Sequence, residues 1–308
     1  MRVFEGLESL PKSKWAPIAA TIGNFYAVHK GHQALIRRVD GLAKSSKSVR
    51  TVVTFEPHPQ KVLRGVAPPV LVTAQEKLEL LNQAGVQQVV ILPFTQEFSK
   101  IEPEEFVRDI LVGTLKLKAL VVGANFRFGR FARGDVPMLR SFSKSGEFTF
   151  QTARMVELAG RSISTTEIRH ALEEGDVAWA NKALGRVYAL PGKIARGMGR
   201  GKKLGYPTAN MKTEEGLVVP GAGIYAGFVV LGKKRLPAAI SIGHNPTFGE
   251  HPLSVEAYVL DFEGDLYSEP AKFEFTARLR DHIEFPSAAA LKEAMAGDVA
   301  EVRRLLIK

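Results

Sequence analysis

Pro17-Ile-Ala-Ala-Thr-Ile22, then Gly23-Asn-Phe-Tyr-Ala-Val-His-Lys-Gly-His32, then Gln33 to Ala43: this stretch decides the fold of the first half of the chain. The opening six residues read as a strand. The closing segment places Leu35, Ile36, Val39 and Leu42 on one helical face. Between them lies a loop with glycine at both ends. The same alternation recurs downstream. Val49 to Phe55 is rich in β-branched residues and predicts a strand. Thr73-Ala-Gln-Glu76 is a capping box that opens a helix, and Gly85 closes it. Val86 to Leu92 predicts a third strand, Pro103 to Leu111 a helix, and Ala119 to Val122 a fourth strand. Alternating strand and helix imply an α/β domain, a parallel sheet with helices on both faces.

After about residue 184 the texture changes. Tyr188 to Ile194, Gly223 to Leu231, Pro237 to Ile242, Ser254 to Phe262 and Ala271 to Leu279 read as strands separated by Gly, Pro and Asp turns. Closely spaced strands indicate an antiparallel barrel or sandwich. Ser287 is an N-cap for a closing helix to Leu306, with a break expected near Gly297-Asp298. A short helix from Asp176 to Leu184 precedes the expected boundary at Gly185-Arg186, giving domains 1–184 and 185–308.

The 308 residues suit about two domains. Cysteine is absent, which excludes disulfides, thiolate metal sites and thiol catalysis. The N-terminus carries acids where a signal peptide has an uninterrupted apolar stretch, and no apolar run is long enough to span a bilayer, so the expected location is cytoplasmic. Net charge is +10, which favours polyanions such as nucleotide phosphates, nucleic acid or a membrane surface. The cations are dispersed without a long basic block, so no nucleic-acid or membrane partner is expected.

Three junctions in the first half carry chemistry. Loops after parallel strands fall on the rim where ligands bind. His29 and His32, in the loop after the first strand, can both donate to a phosphate, and Gly31 allows close backbone approach. The alternatives are a structural pair capping the helix, or a zinc site, for which no third ligand is evident nearby. Thr54-Phe-Glu-Pro-His-Pro59 and Gly123-Ala-Asn-Phe-Arg-Phe-Gly129 fall on the same rim. Ile163-Ser-Thr-Thr-Glu-Ile-Arg169 pairs Ser164 with Glu167 at capping-box spacing. Capping leaves Thr165, Thr166 and Arg169 unexplained, and these three are suited to gripping the outer phosphates of ATP.

In the second half, Leu204-Gly-Tyr-Pro-Thr-Ala-Asn210 sets Thr208 and Asn210 two apart on an extended segment, facing one spot. Pro207 keeps Tyr206 from helical geometry. Two neutral oxygen donors suit Mg²⁺ carried by a nucleotide. Upstream, Gly197-Met-Gly-Arg-Gly-Lys-Lys203 is a glycine-rich basic run suited to covering phosphates. A Gly/Pro turn leading into a strand with two outward polar residues is the plainer reading.

Together these motifs resemble the bacterial bifunctional riboflavin kinase/FMN adenylyltransferase family, also called FAD synthetase. The resemblance rests on the motifs above and on Pro220-Gly-Ala-Gly-Ile-Tyr-Ala226, Ile242-Gly-His-Asn-Pro-Thr-Phe248, Val255-Glu256 and Leu260-Asp-Phe-Glu-Gly-Asp-Leu-Tyr267. It implies a Rossmann-like nucleotidyltransferase domain followed by a six-stranded antiparallel β-barrel kinase domain with a C-terminal helix. It implies phosphorylation of riboflavin to FMN by ATP, then adenylylation of FMN to FAD with release of pyrophosphate. By the resemblance, His29 and His32 contact ATP phosphates, with Gly23, Asn24, Phe25, Gly31 and Asn125 around the nucleotide. Ser164, Thr165 and Arg169 hold the outer phosphates. In the kinase half Thr208 and Asn210 hold Mg²⁺-ATP, Gly199, Lys203, Gly205 and Pro207 surround the nucleotide, and Glu256 is the general base. The family usually has Asp-Gly where this chain has Tyr26-Ala27. That departure keeps a monofunctional riboflavin kinase as the alternative, with a nucleic-acid-binding module a distant third. The partners implied are riboflavin, FMN and ATP, and oligomeric state is left open.

Overall fold

The computed structural model describes residues 1–11, 13, 15–195, 205–243, 254–262, 264, 266–267 and 269–307. Contacts divide them into two compact units, one of residues 1–68 and 72–164, the other of residues 69–71 and 165–308.

The main sheet of the first unit holds six strands: β1 (Arg2–Glu5), β2 (Ile18–Ile22), β3 (Val49–Glu56), β4 (Gln88–Pro93), β5 (Leu117–Gly123) and β6 (Thr149–Ala153). They form one sheet in the order β1-β4-β3-β2-β5-β6, and every pairing is parallel. Helices α1 (Lys30–Ser45), α2 (Pro59–Arg64) and α3 (Ala74–Gln83) follow β2 and β3. A short α4 (Pro103–Glu105) continues as π-helical turns over Phe106–Thr114, and α5 (Val136–Lys144) precedes β6. The sheet is buried on both sides. Ile18, Ala20 and Ile22 pack with Phe106, Leu111 and Leu139, while Ala19 packs with Val39, Ala43 and Val121. Double burial explains why β2 is uniformly apolar instead of alternating. The capping box at Thr73 forms with both of its hydrogen bonds.

From β2 the chain steps to β3 and β4 on one side, then crosses to β5 and β6 on the other. The strand order reverses between β2 and β5, so the loops at their carboxyl ends open a crevice suited to a ligand. Edge strands β1 and β6 are additions to the four strands read from the sequence.

In the second unit α6 (Thr165–Glu173) and α7 (Val177–Leu184) precede a closed barrel. Its strands are β9 (Tyr188–Ala195), β10 (Thr208–Thr213), β11 (Gly223–Leu231), β12 (Lys234–Gly243), β13 (Ser254–Val259) and β14 (Pro270–Arg280), in the order β10-β13-β12-β11-β14-β9. Near the end of the first unit's sequence, Glu157–Leu158 (β7) and Arg161–Ser162 (β8) form a small hairpin. Asn181 ties α7 to the barrel: its Nδ2 donates to Phe275 O at 2.8 Å, and its Oδ1 accepts from Tyr188 N at 2.7 Å. By contacts, the helical pair therefore groups with the barrel, ahead of the Gly185-Arg186 boundary that sequence texture suggests.

One expectation is corrected. The closing helix α8 (Ala288–Leu306) is capped by Ser287 as expected, but it runs unbroken through Gly297-Asp298. A mid-helix glycine costs only about 1 kcal/mol. Packing offsets that cost, because Val299 and Val302 sit against Ala226 and Leu260 of the barrel. Asp298 also receives a two-pronged bond from Arg280 of β14, Nε to Oδ1 at 2.8 Å and Nη2 to Oδ2 at 2.7 Å. Asp298→Ala would strand a half-buried guanidinium. The expected cost is about 2 kcal/mol, less than for a fully buried pair because Arg280 keeps some solvent. Chemical denaturation measures it, and a change below about 0.5 kcal/mol would assign the pair to the surface class.

Candidate active sites

The loop after β2 and the start of α1 form the first site. His29 is the N-cap of α1, and its Nδ1 accepts the backbone N–H of His32 at 3.2 Å. A nitrogen that accepts cannot carry the ring proton, so the neutral imidazole bears its hydrogen on Nε2. His29 is thus an Nε2–H donor at the N-terminus of a 16-residue helix, where an anion is favoured. The His29 and His32 rings stack at 3.7 Å and 13°, and Phe25 leans on His32 at 4.6 Å. A side chain at Gly31 would bring Cβ to 2.9 Å from His29 Cε1. The close histidine ring is thus one reason for a glycine at this position.

The loop is strained at Phe25 (φ 55°) and Val28 (φ 42°), both left-handed. Such residues cost about 1 kcal/mol each. Ala27 is not among the positive-φ residues, so replacing the family's glycine adds no left-handed strain at that position. Gln33 Nε2 holds Val28 O at 2.9 Å, and Thr54 Oγ1 donates to Asn24 O at 3.2 Å.

Tyr26 joins this loop to the one after β3. Its hydroxyl donates to Glu56 Oε2 at 2.6 Å. The buried Lys77 of α3 places Nζ 3.5 Å from the same oxygen and 4.2 Å above the Tyr26 ring. Burial, reinforced by the bond to Glu56, pushes the Tyr26 phenol far above its ordinary range. Burial pulls the Lys77 ammonium down, opposed by Glu56. Beside them, the Asn24 side-chain amide lies 3.4 Å from His58 Nε2. His58 Nδ1 accepts from Gln60 N at the start of α2. Nothing in the sequence flagged Lys77, which lies in the middle of an ordinary amphipathic helix.

Gly23, Asn24, Phe25, His29, Gly31 and His32 are thus brought together. Asn125 is exposed just beyond β5, on the same sheet's carboxyl rim. Ser164 closes the first unit, while Thr165 and Arg169 belong to the second. Arg169 Nε donates to Pro69 O at 2.9 Å, which fixes one edge of its guanidinium.

The second site lies on the outer face of the barrel. Burial alternates along β10, with Ala209 and Met211 buried while Thr208 and Asn210 are half-buried on the other face. Asn210 stands directly opposite Glu256 of β13, and Glu256 stands opposite Ser241 of β12. Thr208 Oγ1 donates to Glu256 Oε2 at 2.9 Å. Glu256, Ser241 and Tyr258 line a cavity of about 650 Å³ closed by Phe285, Leu291 and Met295. A cavity of that size with apolar walls and a few convergent polar groups suits a small molecule. Thr208 also borders a smaller cavity of about 100 Å³, with Pro207, Phe262 and Tyr267. Gly205 is left-handed at φ 88° ahead of Pro207. Gly199, Lys203 and most of the Ile242-to-Phe248 motif lie outside the described residues. Ser241 escaped the sequence reading because only strand register brings it beside Glu256.

Comparison with known proteins gives the following. The family model described as FAD synthetase matches residues 12–167, and that described as riboflavin kinase matches residues 184–306. A bifunctional riboflavin kinase/FMN adenylyltransferase of Pseudomonas fluorescens is 34% identical over 99% of this chain and 98% of its own length. The protein of the same name from Escherichia coli strain K12 is 32% identical, over 98% of this chain and 97% of its own. A solved structure titled macrolide-efflux protein from Streptococcus pneumoniae superposes with a TM-score of 0.88 at 26% identity, covering 98% of this chain and 99% of that one. Among the described residues, no helix is long and apolar enough to cross a membrane.

Proposed function

Because this chain belongs to the bifunctional riboflavin kinase/FMN adenylyltransferase family, we propose that its two reactions are carried by two separate sites, one around Glu256 and one around His29. The chain is a transferase that makes FMN from riboflavin and ATP, and FAD from FMN and ATP. In this reading residues 1–184 serve adenylylation and 185–308 phosphorylation, a division supported by family matches over residues 12–167 and 184–306.

The observation that carries the kinase assignment is the position of Thr208. It borders both cavities of the barrel and is bonded to Glu256. In this reading the larger cavity takes the flavin and the smaller takes part of the nucleotide. Glu256 lies where the ribityl hydroxyl meets the γ-phosphate and accepts its proton. The donor set of Thr208 and Asn210 beside a carboxylate fits a hard divalent cation, so these two residues would hold Mg²⁺ brought with ATP. Bound there, the cation supplies neutralisation of phosphate charge. Thr208→Val is expected to lower FMN formation by about 10-fold or more, since it removes a hydroxyl that orients the base. Steady-state assays measure this, and a rate within about twofold of wild type would contradict it.

In the adenylylation half the attacking FMN phosphate is already ionised, so no strong base is required. His29 Nε2–H and the N-terminus of α1 instead stabilise charge on the α-phosphate as pyrophosphate leaves. Ser164, Thr165 and Arg169 remain assigned to the outer phosphates by the motif. The monofunctional alternative is not favoured: the relatives that span the whole chain are named bifunctional, and Ala27 carries no left-handed strain. A cytoplasmic location belongs to this reading, supported by the use of ATP and vitamin-derived small molecules.

A further inference from the structure

Tyr26 lies between the two rim loops that flank the adenylylation site. It belongs to the loop after β2, and its side chain reaches residues of the loop after β3. The hydroxyl donates to Glu56, the ring lies 5.5 Å from that of His58 at 35°, and Lys77 caps the other partners from α3. Tyr26 and Lys77 are buried, whereas the Glu56 side chain is 47% exposed. The phenol therefore enters as a neutral donor, and one carboxylate answers the Lys77 charge.

On either side of Tyr26-Ala27 the backbone is left-handed, at Phe25 and Val28. Backbone of that kind persists only where surrounding contacts over-determine it. The contacts here are core packing of Phe25 and Val28 with Val52 and Leu81, the Gln33 and Thr54 hydrogen bonds, and the Tyr26 cluster. His29 follows Val28 directly, so any drift of this loop moves the His29 imidazole and the Asn24–His58 contact together.

We infer that Tyr26, Glu56 and Lys77 form a latch between the two rim loops, and that Tyr26 is a positioning residue for adenylylation, acting through Glu56 without touching the reacting atoms. This rests on the assignment of adenylylation to the first unit.

The test is steady-state adenylylation of supplied FMN by full-length Tyr26→Phe, Glu56→Gln, Glu56→Ala and the Y26F/E56A double variant, with riboflavin phosphorylation by the same chains as the folding control. Tyr26→Phe is expected to lower kcat about tenfold, since small misplacements at a reacting centre are costly, with the KM for ATP within about twofold and FMN formation unchanged. Glu56→Gln, which keeps an acceptor for the phenol, is expected to lose less than Glu56→Ala. The double variant should be no worse than Glu56→Ala alone, because partners in one contact are not additive. Full adenylylation by Tyr26→Phe with only a lowered Tm would overturn the inference, as would additive losses. Should Tyr26→Phe not fold, equal adenylylation by Glu56→Gln and Glu56→Ala would overturn it instead. Wild-type chain that makes no FAD would remove the adenylylation reading itself, a distinct result.

Discussion

Glu256→Ala is expected to cut riboflavin phosphorylation by about 10²–10⁴-fold, the usual loss when a general base is removed. Adenylylation of supplied FMN by the same variant should proceed at the wild-type rate. The expectation follows from register. Glu256 sits on the half-buried outer face of β13, between Asn210 and Ser241, with Thr208 bonded to its carboxylate. Its neighbours Val255 and Ala257 point into the barrel core and are unaffected. A glutamate at an ordinary solvent-facing strand position would change the rate little. Product separation after incubation with riboflavin and ATP reads the first activity, and incubation with FMN and ATP reads the second. Equal loss of both would show that the substitution damages the chain as a whole.

His29→Ala is expected to produce the mirror result, with FAD formation reduced by about 10²–10³-fold, as when one donor to a developing charge is lost, and FMN formation intact. This residue does two jobs, so one substitution is insufficient. Alanine also removes the N-cap of α1, at about 1 kcal/mol. Asparagine is a good N-cap and retains that contact while removing the Nε2–H. His29→Asn should therefore restore the Tm and leave adenylylation impaired. Recovery of adenylylation along with the Tm would reduce His29 to a structural cap.

Much of the fold was legible because buried parallel strands leave apolar runs between helical patterns. In the parallel sheet, the strands that escaped notice lie at the edges. β1 is a four-residue Arg-Val-Phe-Glu with little burial, and β6 has an exposed alternating face. Neither carries the periodic signal of a strand covered on both sides. The expected break in α8 failed for a different reason: local propensity at Gly297 yielded to tertiary contacts of Asp298, Val299 and Val302. In the sites, what could be read was what lies close in sequence. His29 with His32 is local, and so is Thr208 with Asn210. Glu256 entered only through resemblance, and Ser241 was missed, because both depend on the register of β12, β13 and β10. The Tyr26 departure was visible in the sequence, but its consequence was not. That depended on Glu56 and Lys77 converging from separate elements, each unremarkable in its own segment.

If the two transfers use independent sites, two crippled chains should complement one another through free FMN. The direct test mixes Glu256→Ala with His29→Asn in the presence of riboflavin, ATP and Mg²⁺, and separates the flavins. The account predicts little flavin nucleotide from Glu256→Ala alone, FMN with at most a trace of FAD from His29→Asn alone, and FAD from the mixture. A mixture that stops at FMN, while Glu256→Ala still adenylylates added FMN, would contradict free exchange between separate sites; FAD from His29→Asn alone at the wild-type rate would contradict the site itself.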